Sequence, residues 1–499
     1  MIPELISPAE EAFNRRRQTF GLVAGPILTL ALLFAPLGLP DLAQRVAAVL
    51  ALMIVLWMTE ALPLAATALL GPTLCVLLGV GSAQAVFAPF ADPVIFLFIG
   101  SFILAEGMVV HRLDRRLAFT ALSSSWVGSS GFRLVSTYAC VTAFLSMWMS
   151  NTATTAMMFP LGLAVLSELG RDRSGDPAFL RYAMAMMLVT SFAATIGGMG
   201  TPVGTPPNLI GVGLLRTTAG VNVTFVGWML VCVPIVIVTM ALLVIGFLGP
   251  NARGVRLNQE AVHTVRTELR KLGTMTIGER NVVFAFAVTI ALWVLPGVLS
   301  LALGESHFVT RRFAVLVPES VAAIVGALLL LVTPIDWRER RFTLSWEEAS
   351  RIDWGIVLLF GGGLAMGRLA ESTGLSTAMG QGIASQFPNA GTVGLTMVFT
   401  GVAVVMSEAA SNTAAANIIV PTAIAVSRAA GVDPVEPALG ATLGASLGFM
   451  MPISTPPNAI VYSSGYIPIG AMVRNGVLLD IVGYFVILAG VLGLGRLLS

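Results

Sequence analysis

Apolar runs of membrane-spanning length follow one another along almost the whole chain, and they limit its fold more than any single motif does. By hydropathy they fall at roughly 21–38, 44–59, 62–80, 93–110, 225–248, 281–299, 313–333, 353–370 and 475–497. Four further stretches, near 132–168, 180–215, 391–427 and 436–465, are apolar but polar or broken at their centres. These runs are too long, and alternate too little, for barrel strands, so the spans are helices. With 56% hydrophobic and 11% charged residues, the chain has more apolar surface than a soluble fold can hide. The expected fold class is an all-α polytopic membrane protein.

Charge orients the spans and excludes some functions. With the N-terminus cytoplasmic and each triplet-bearing stretch leaving on the side it entered, about 21 of the 28 Lys and Arg lie on or near the cytoplasmic side. Arg15, Arg16 and Arg17 precede a first run too long for a signal peptide, which reads as a retained span. The longest polar link, near 250–279, holds Arg253, Arg256, Arg266, Arg270 and Lys271. A net charge of +2 gives no electrostatic case for nucleic acid. Cys75, Cys140 and Cys232 lie in apolar runs without metal-like spacing and read as small buried hydrophobes.

Two polar triplets stand inside this apolar background, Ser150-Asn151-Thr152 and Ser411-Asn412-Thr413. An unpaired amide or hydroxyl there costs several kcal/mol, about 2–7 by transfer, so the groups need partners or a ligand. An offset of 261 residues superposes the triplets and also Asp92 on Asp353, Gly100 on Gly361, Ser146 on Ser407 and Pro160 on Pro421. An offset of 250 brings Thr205-Pro206-Pro207-Asn208 onto Thr455-Pro456-Pro457-Asn458. The chain reads as two copies of one unit, each with an odd number of spans, so the second enters the membrane inverted. Inverted repeats with interrupted helices mark secondary transporters, whose site lies at the repeat interface.

The Pro-Pro pairs must open their helices, because proline cannot donate a backbone hydrogen bond and disfavours helical geometry in the residue before it. Opening frees carbonyls for a hard cation and starts a half-helix whose N-terminus can face an anion. Gly197, Gly198, Gly200 and Gly204 allow close backbone approach beside the first break. No Lys, Arg or His lies in either triplet or either Pro-Pro break, so a dianion there requires co-bound cations, which favours symport. Glu408 is the one nearby acid and reads first as a structural or water-facing carboxylate, with a proton relay as the alternative; Asp92, Glu106, Asp353 and Asp480 are expected near span ends. His111, His263 and His307 are scattered, with no metal spacing, P-loop or nucleophile–base pair, so the chain does not read as an enzyme. No organic cofactor is expected.

Four segments carry a resemblance: Ser150 to Pro160, Gly204 to Asn208, Ser411 to Thr413, and Met451 to Val461. In these the chain, from about Trp57 to its C-terminus, resembles the divalent-anion:sodium symporter family, which moves dicarboxylates, citrate or sulfate. Ala414-Ala415-Ala416 departs from the threonines expected after the second triplet. The resemblance implies a homodimer, a scaffold and an elevator-like transport domain with two re-entrant hairpins. The count of apolar runs gives about 11 transmembrane helices besides those hairpins. The resemblance also implies a first sodium site at Ser146, Ser150, Asn151 and Gly204, and a second at Ser407, Ala410, Asn412 and Ser454. The substrate carboxylates would meet Asn151, Thr152, Thr205, Asn412, Thr413, Thr455 and Pro456.

The domains expected on this basis are an N-terminal span and scaffold part of the first repeat (1–125) and its transport part (126–250). A cytoplasmic linker with the second scaffold part (251–370) and the second transport part (371–499) complete the chain. The expected function is sodium-coupled symport of C4-dicarboxylates such as succinate, malate or fumarate across the inner membrane. A sodium-independent dicarboxylate exchanger of the same fold, and an anion channel, are the competing readings.

Overall fold

Several helices begin at side-chain caps that the sequence offers. The computed structural model describes residues 8–170, 176–252, 255, 259–304, 306–386 and 390–498. Arg253 and Arg256 of the polar link and the side chain of His263 lie outside the described residues. Asp92 caps helix Pro93–Val110 through the Val94 amide at 2.9 Å, and Ser130 caps Gly131–Ser146 through that of Arg133 at 3.3 Å. A reciprocal Thr276–Glu279 capping box opens Ile277–Leu303. Apart from the two-stranded ribbon of Pro334–Asp336 and Arg341–Phe342, every regular element among the described residues is helical.

Nine described helices are long and apolar enough to cross a membrane, or ten if Phe308–Leu316 and Glu319–Val332, bent by 59°, form one span. The sequence estimate of about eleven is higher. Leu64–Leu77 has only 14 residues, and Trp354–Ser372, rich in glycine and carrying Arg368 and Glu371, is not among the nine. Each triplet lies at the junction of two helices: Gly131–Ser146 with Asn151–Gly170, and Thr392–Ala409 with Asn412–Ala429. Each Pro-Pro pair starts a half-helix, Pro206–Leu214 after Pro177–Gly198 and Pro456–Tyr462 after Val435–Gly444.

Small residues set the closest helix approaches. At Gly100 a Cβ would sit 2.5 Å from the Ala323 carbonyl carbon, which lets Pro93–Val110 lie against Glu319–Val332. At Gly362 it would sit 2.3 Å from the Ala68 carbonyl oxygen, where Trp354–Ser372 crosses Leu64–Leu77. The two triplet-bearing regions interlock: half-helix Pro206–Leu214 packs on Asn412–Ala429, and Pro456–Tyr462 packs on Asn151–Gly170. Phe192 meets Phe449 edge-on across this interface, with ring centroids 5.0 Å apart.

Two sequence expectations need correction. Cys140 is exposed on the outer face of Gly131–Ser146, whereas Cys75 and Cys232 are buried. Asp480 is not near a span end: its helix begins at Ile469, earlier than the hydropathy run suggests, so the residue lies three turns inside and only 3% exposed. Asp92 and Asp353 do cap helix starts, and Glu106 lies in the last turns of Pro93–Val110.

Candidate functional site

Two polar centres form where the helices break, and they share a hydrogen-bond pattern. In the first, the buried Ser146 hydroxyl donates to Asn151 Oδ1 at 2.8 Å; in the second, Ser407 donates to Asn412 Oδ1 at 2.8 Å. Asn208 Nδ2 donates back to the Gly198 and Thr201 carbonyls at 2.9 and 2.8 Å. Asn458 does the same to Gly448 and Met451 at 2.9 and 3.0 Å. Thr205 and Thr455, just before the half-helices, have nearly equal extended backbones, φ −149°, ψ 145° and φ −144°, ψ 147°. In each centre the final Asn of the Thr-Pro-Pro-Asn motif thus satisfies carbonyls released by the break.

The backbone crowds the first centre more. A Cβ on Gly198 would lie 2.2 Å from Asn151 Oδ1, and one on Gly204 would lie 2.4 Å from the Gly198 carbonyl and 2.9 Å from that of Ser146. Ser146, Asn151, Gly198 and Gly204 therefore converge. At the corresponding Gly448 the nearest atoms, Asn412 Oδ1, Ser407 Oγ and Thr455 Cγ2, would all be 3.2 Å from such a Cβ. Ser150 accepts from the Ala153 amide at 3.2 Å, while Ser411 makes no such cap.

The expected substrate residues divide by exposure. Thr152 and Pro456 are exposed, Asn151, Asn412 and Thr413 half-buried, and Thr205 and Thr455 buried. Of the expected sodium donors, Ser146, Gly204, Ser407, Ala410 and Ser454 are buried, and Ser150 is half-buried. The two centres also touch: the Ser191 hydroxyl, from the first broken helix, hydrogen-bonds Asn458 Oδ1. Asn208 Oδ1, its counterpart, is buried without a partner.

Three features escaped the sequence reading. The bracing roles of Asn208 and Asn458 were signalled by their place in the duplicated motif. Glu408 accepts from the Met450 amide at 2.8 Å and the Ser454 hydroxyl at 2.5 Å, so it ties the loop of the second break to the second triplet. Away from the centres, Arg216, just beyond the first half-helix, forms an ion pair with Asp92; a charge count along the chain could not pair residues so far apart.

The model of the family described as the sodium:sulfate symporter transmembrane region matches residues 18–498. A sodium-dependent dicarboxylate transporter of Staphylococcus saprophyticus is 32% identical over 480 residues, covering 94% of this chain and 90% of that protein. Its Staphylococcus aureus counterpart is 31% identical over 485 residues, with the same coverage. Among solved structures, the Alcanivorax borkumensis YdaH transporter superposes with TM-score 0.52 at 15% identity. Neisseria gonorrhoeae MtrF, described as one of a class of antimetabolite efflux pumps, superposes with TM-score 0.53 at 13% identity. Each covers 97% of both chains, and at these identities the likeness speaks for the fold alone. On the family match across nearly its whole length, the chain belongs to the sodium:sulfate symporter transmembrane-region family.

Proposed function

We propose that the chain is a secondary active transporter that carries C4-dicarboxylates, such as succinate, malate and fumarate, together with sodium across the inner membrane. The observation that carries this reading is the pair of Ser–Asn centres at helix breaks, each built on hydroxyls, amides and released carbonyls and with no basic side chain in its motifs. Such donors suit sodium, and the half-helix N-termini beside them suit carboxylates. Without a basic side chain in either motif, sodium supplies the positive charge a dianion needs. The naming of the staphylococcal relatives as sodium-dependent dicarboxylate transporters supports the same substrate class.

In this reading Ser146, Ser150, Asn151 and Gly204 hold one sodium ion, and Ser407, Ala410, Asn412 and Ser454 the other. The substrate meets Asn151, Thr152, Thr205, Asn412, Thr413, Thr455 and Pro456. The two units are inverted repeats. Residues 126–250 and 371–499 form the moving body of an elevator, 1–125 and 251–370 the scaffold of a homodimer, and the N-terminus is cytoplasmic.

Succinate uptake into proteoliposomes, with sodium, potassium, proton and counter-substrate gradients imposed separately, tests the proposal. Uptake driven by an inward sodium gradient is expected. Sodium-independent uptake that needs internal dicarboxylate would replace symport with exchange, and passive flux without saturable competition between carboxylates would indicate a channel.

A further inference from the structure

The broken helix Pro177–Gly198 carries one polar side chain that serves the other unit. Ser191 is fully buried, and its hydroxyl donates to Oδ1 of Asn458, itself fully buried in the first turn of half-helix Pro456–Tyr462. A helical serine or threonine commonly returns its proton to the carbonyl four residues back, as Thr190 does to Met186 at 2.9 Å. Ser191 directs its one proton across the repeat interface instead. On its other side Phe192 packs edge-on against Phe449, so the two segments are in register there.

That bond helps decide how the Asn458 amide lies. Nδ2 donates to the Gly448 and Met451 carbonyls at 2.9 and 3.0 Å, and with Ser191 on Oδ1 both amide protons and the oxygen are engaged. Turned over, the amide would set its oxygen against two carbonyls and lose both bonds, which burial makes costly. A Cβ on Gly448 would touch Asn412 Oδ1 and Ser407 Oγ, and the Met451 carbonyl also accepts from the Ser454 amide at 3.2 Å. The contacts therefore run from Ser191 through Asn458 to the loop that carries Ser454 and borders the second centre.

The reverse bond is missing among the described residues. At the offset of 250 the counterpart of Ser191 is Ala441, and Asn208 Oδ1 is buried without a partner. Half-helix Pro206–Leu214 meets Val435–Gly444 by shape alone at Gly211, where a Cβ would lie 2.2 Å from Thr442 Oγ1, and that hydroxyl returns to the Ala438 carbonyl at 2.7 Å. The Asn of the first break is braced within its own unit, that of the second by its neighbour as well.

We propose that Ser191 is a positioning residue for the second centre: by fixing the Asn458 amide it sets the loop 448–454, and so makes the geometry of one centre depend on the broken helix of the other. Removing the hydroxyl leaves Oδ1 buried and unpaired and loosens that loop, while the first centre keeps its bonds. The consequence for sodium rests on the second sodium site proposed above; the bracing of the loop does not.

The test compares wild type with Ser191→Ala in two measurements. In purified protein, hydrogen–deuterium exchange is expected to be about tenfold faster in segment 446–462 of the variant and unchanged in 196–212. In proteoliposomes, the sodium concentration for half-maximal succinate uptake is expected to rise about fivefold, with the maximal rate and the succinate KM at saturating sodium unchanged, a split that a general loss of stability does not produce. Placed on Asn458→Ala, whose carbonyls are already released, Ser191→Ala is expected to add no further exchange.

Exchange in 446–462 at the wild-type rate, or equal acceleration in both segments, would overturn the proposal, as would further acceleration on Asn458→Ala. A lower maximal rate with the sodium dependence unchanged would make Ser191 a structural contact only and overturn it too. Should Asn458→Ala fail to fold, the single variant decides. If wild-type uptake ignores sodium, the function proposed above fails, and the exchange measurement decides the bracing by itself.

Discussion

The two polar centres have the same scaffold of bonds and different surroundings. Ser146–Asn151 and Ser407–Asn412 are equal in length, and Asn208 and Asn458 brace the same carbonyl positions. Around that frame, the first centre is tight and free of acids. Thr201 donates to the Met147 carbonyl at 2.5 Å, and Gly198 and Gly204 admit no side chain. In the second, Glu408 takes the place of Met147 and Ser454 that of Gly204, and the hydroxyl of Ser454 bonds the carboxylate of Glu408. The groups that hold each break open are the same in the two centres, while the shell about them differs. One centre is therefore shaped mainly by backbone contact and the other by a side-chain network, and substitutions should tell them apart.

The largest effect expected is shared. Asn151→Ala and Asn412→Ala should each reduce initial succinate uptake by roughly a hundredfold, because each removes an amide proposed to meet both an ion and a carboxylate. Near-normal uptake in either, at normal expression and monodispersity, would remove that residue from the site. The next separates the centres. Gly198→Ala drives a methyl into Asn151 Oδ1 and should cut uptake at least about tenfold, whereas Gly448→Ala meets its neighbours at 3.2 Å and should cost only about twofold. Equal losses would refute the contrast in crowding.

Two smaller effects probe the divergence. Ser191 serves Asn458, but the residue at the matching offset of 250 is Ala441, and Asn208 Oδ1 has no donor. Ala441→Ser should restore it and stabilise the protein by about 1 kcal/mol, read as a higher midpoint of thermal unfolding; a lower midpoint would mean the two breaks do not match at that position. Thr154 has a buried hydroxyl without a partner where the second unit has Ala415, so Thr154→Val should leave uptake unchanged and stability within about 0.5 kcal/mol. A clear loss of uptake would assign that hydroxyl a ligand.

Much of this frame was legible in the sequence because proline and apolar run length act locally. The helix Pro93–Val110 lies where hydropathy puts it, and both half-helices start at the first proline of their pair. The triplets fall at helix junctions for the same reason: their polar groups end one apolar run and begin the next. What sequence could not give was proximity between distant segments. Asp480 looked like a span-end acid because the last apolar run starts near 475, yet the helix begins at Ile469 and carries the acid inward. Asp92 could be read as a cap, but its pairing with Arg216 depends on how the first half-helix packs. Ser191 was one small polar residue in an apolar helix until packing set it against Asn458.

The central claim is that centres without a basic side chain bind a dicarboxylate only with sodium beside it. The direct measurement is the thermal shift of the purified protein on adding succinate, in sodium chloride and in potassium chloride of equal strength. A ligand that binds the folded state raises the unfolding midpoint according to its affinity, so succinate should raise it in sodium and leave it unchanged in potassium. An equal rise in both salts would show that the protein supplies the compensating charge itself and would contradict the account.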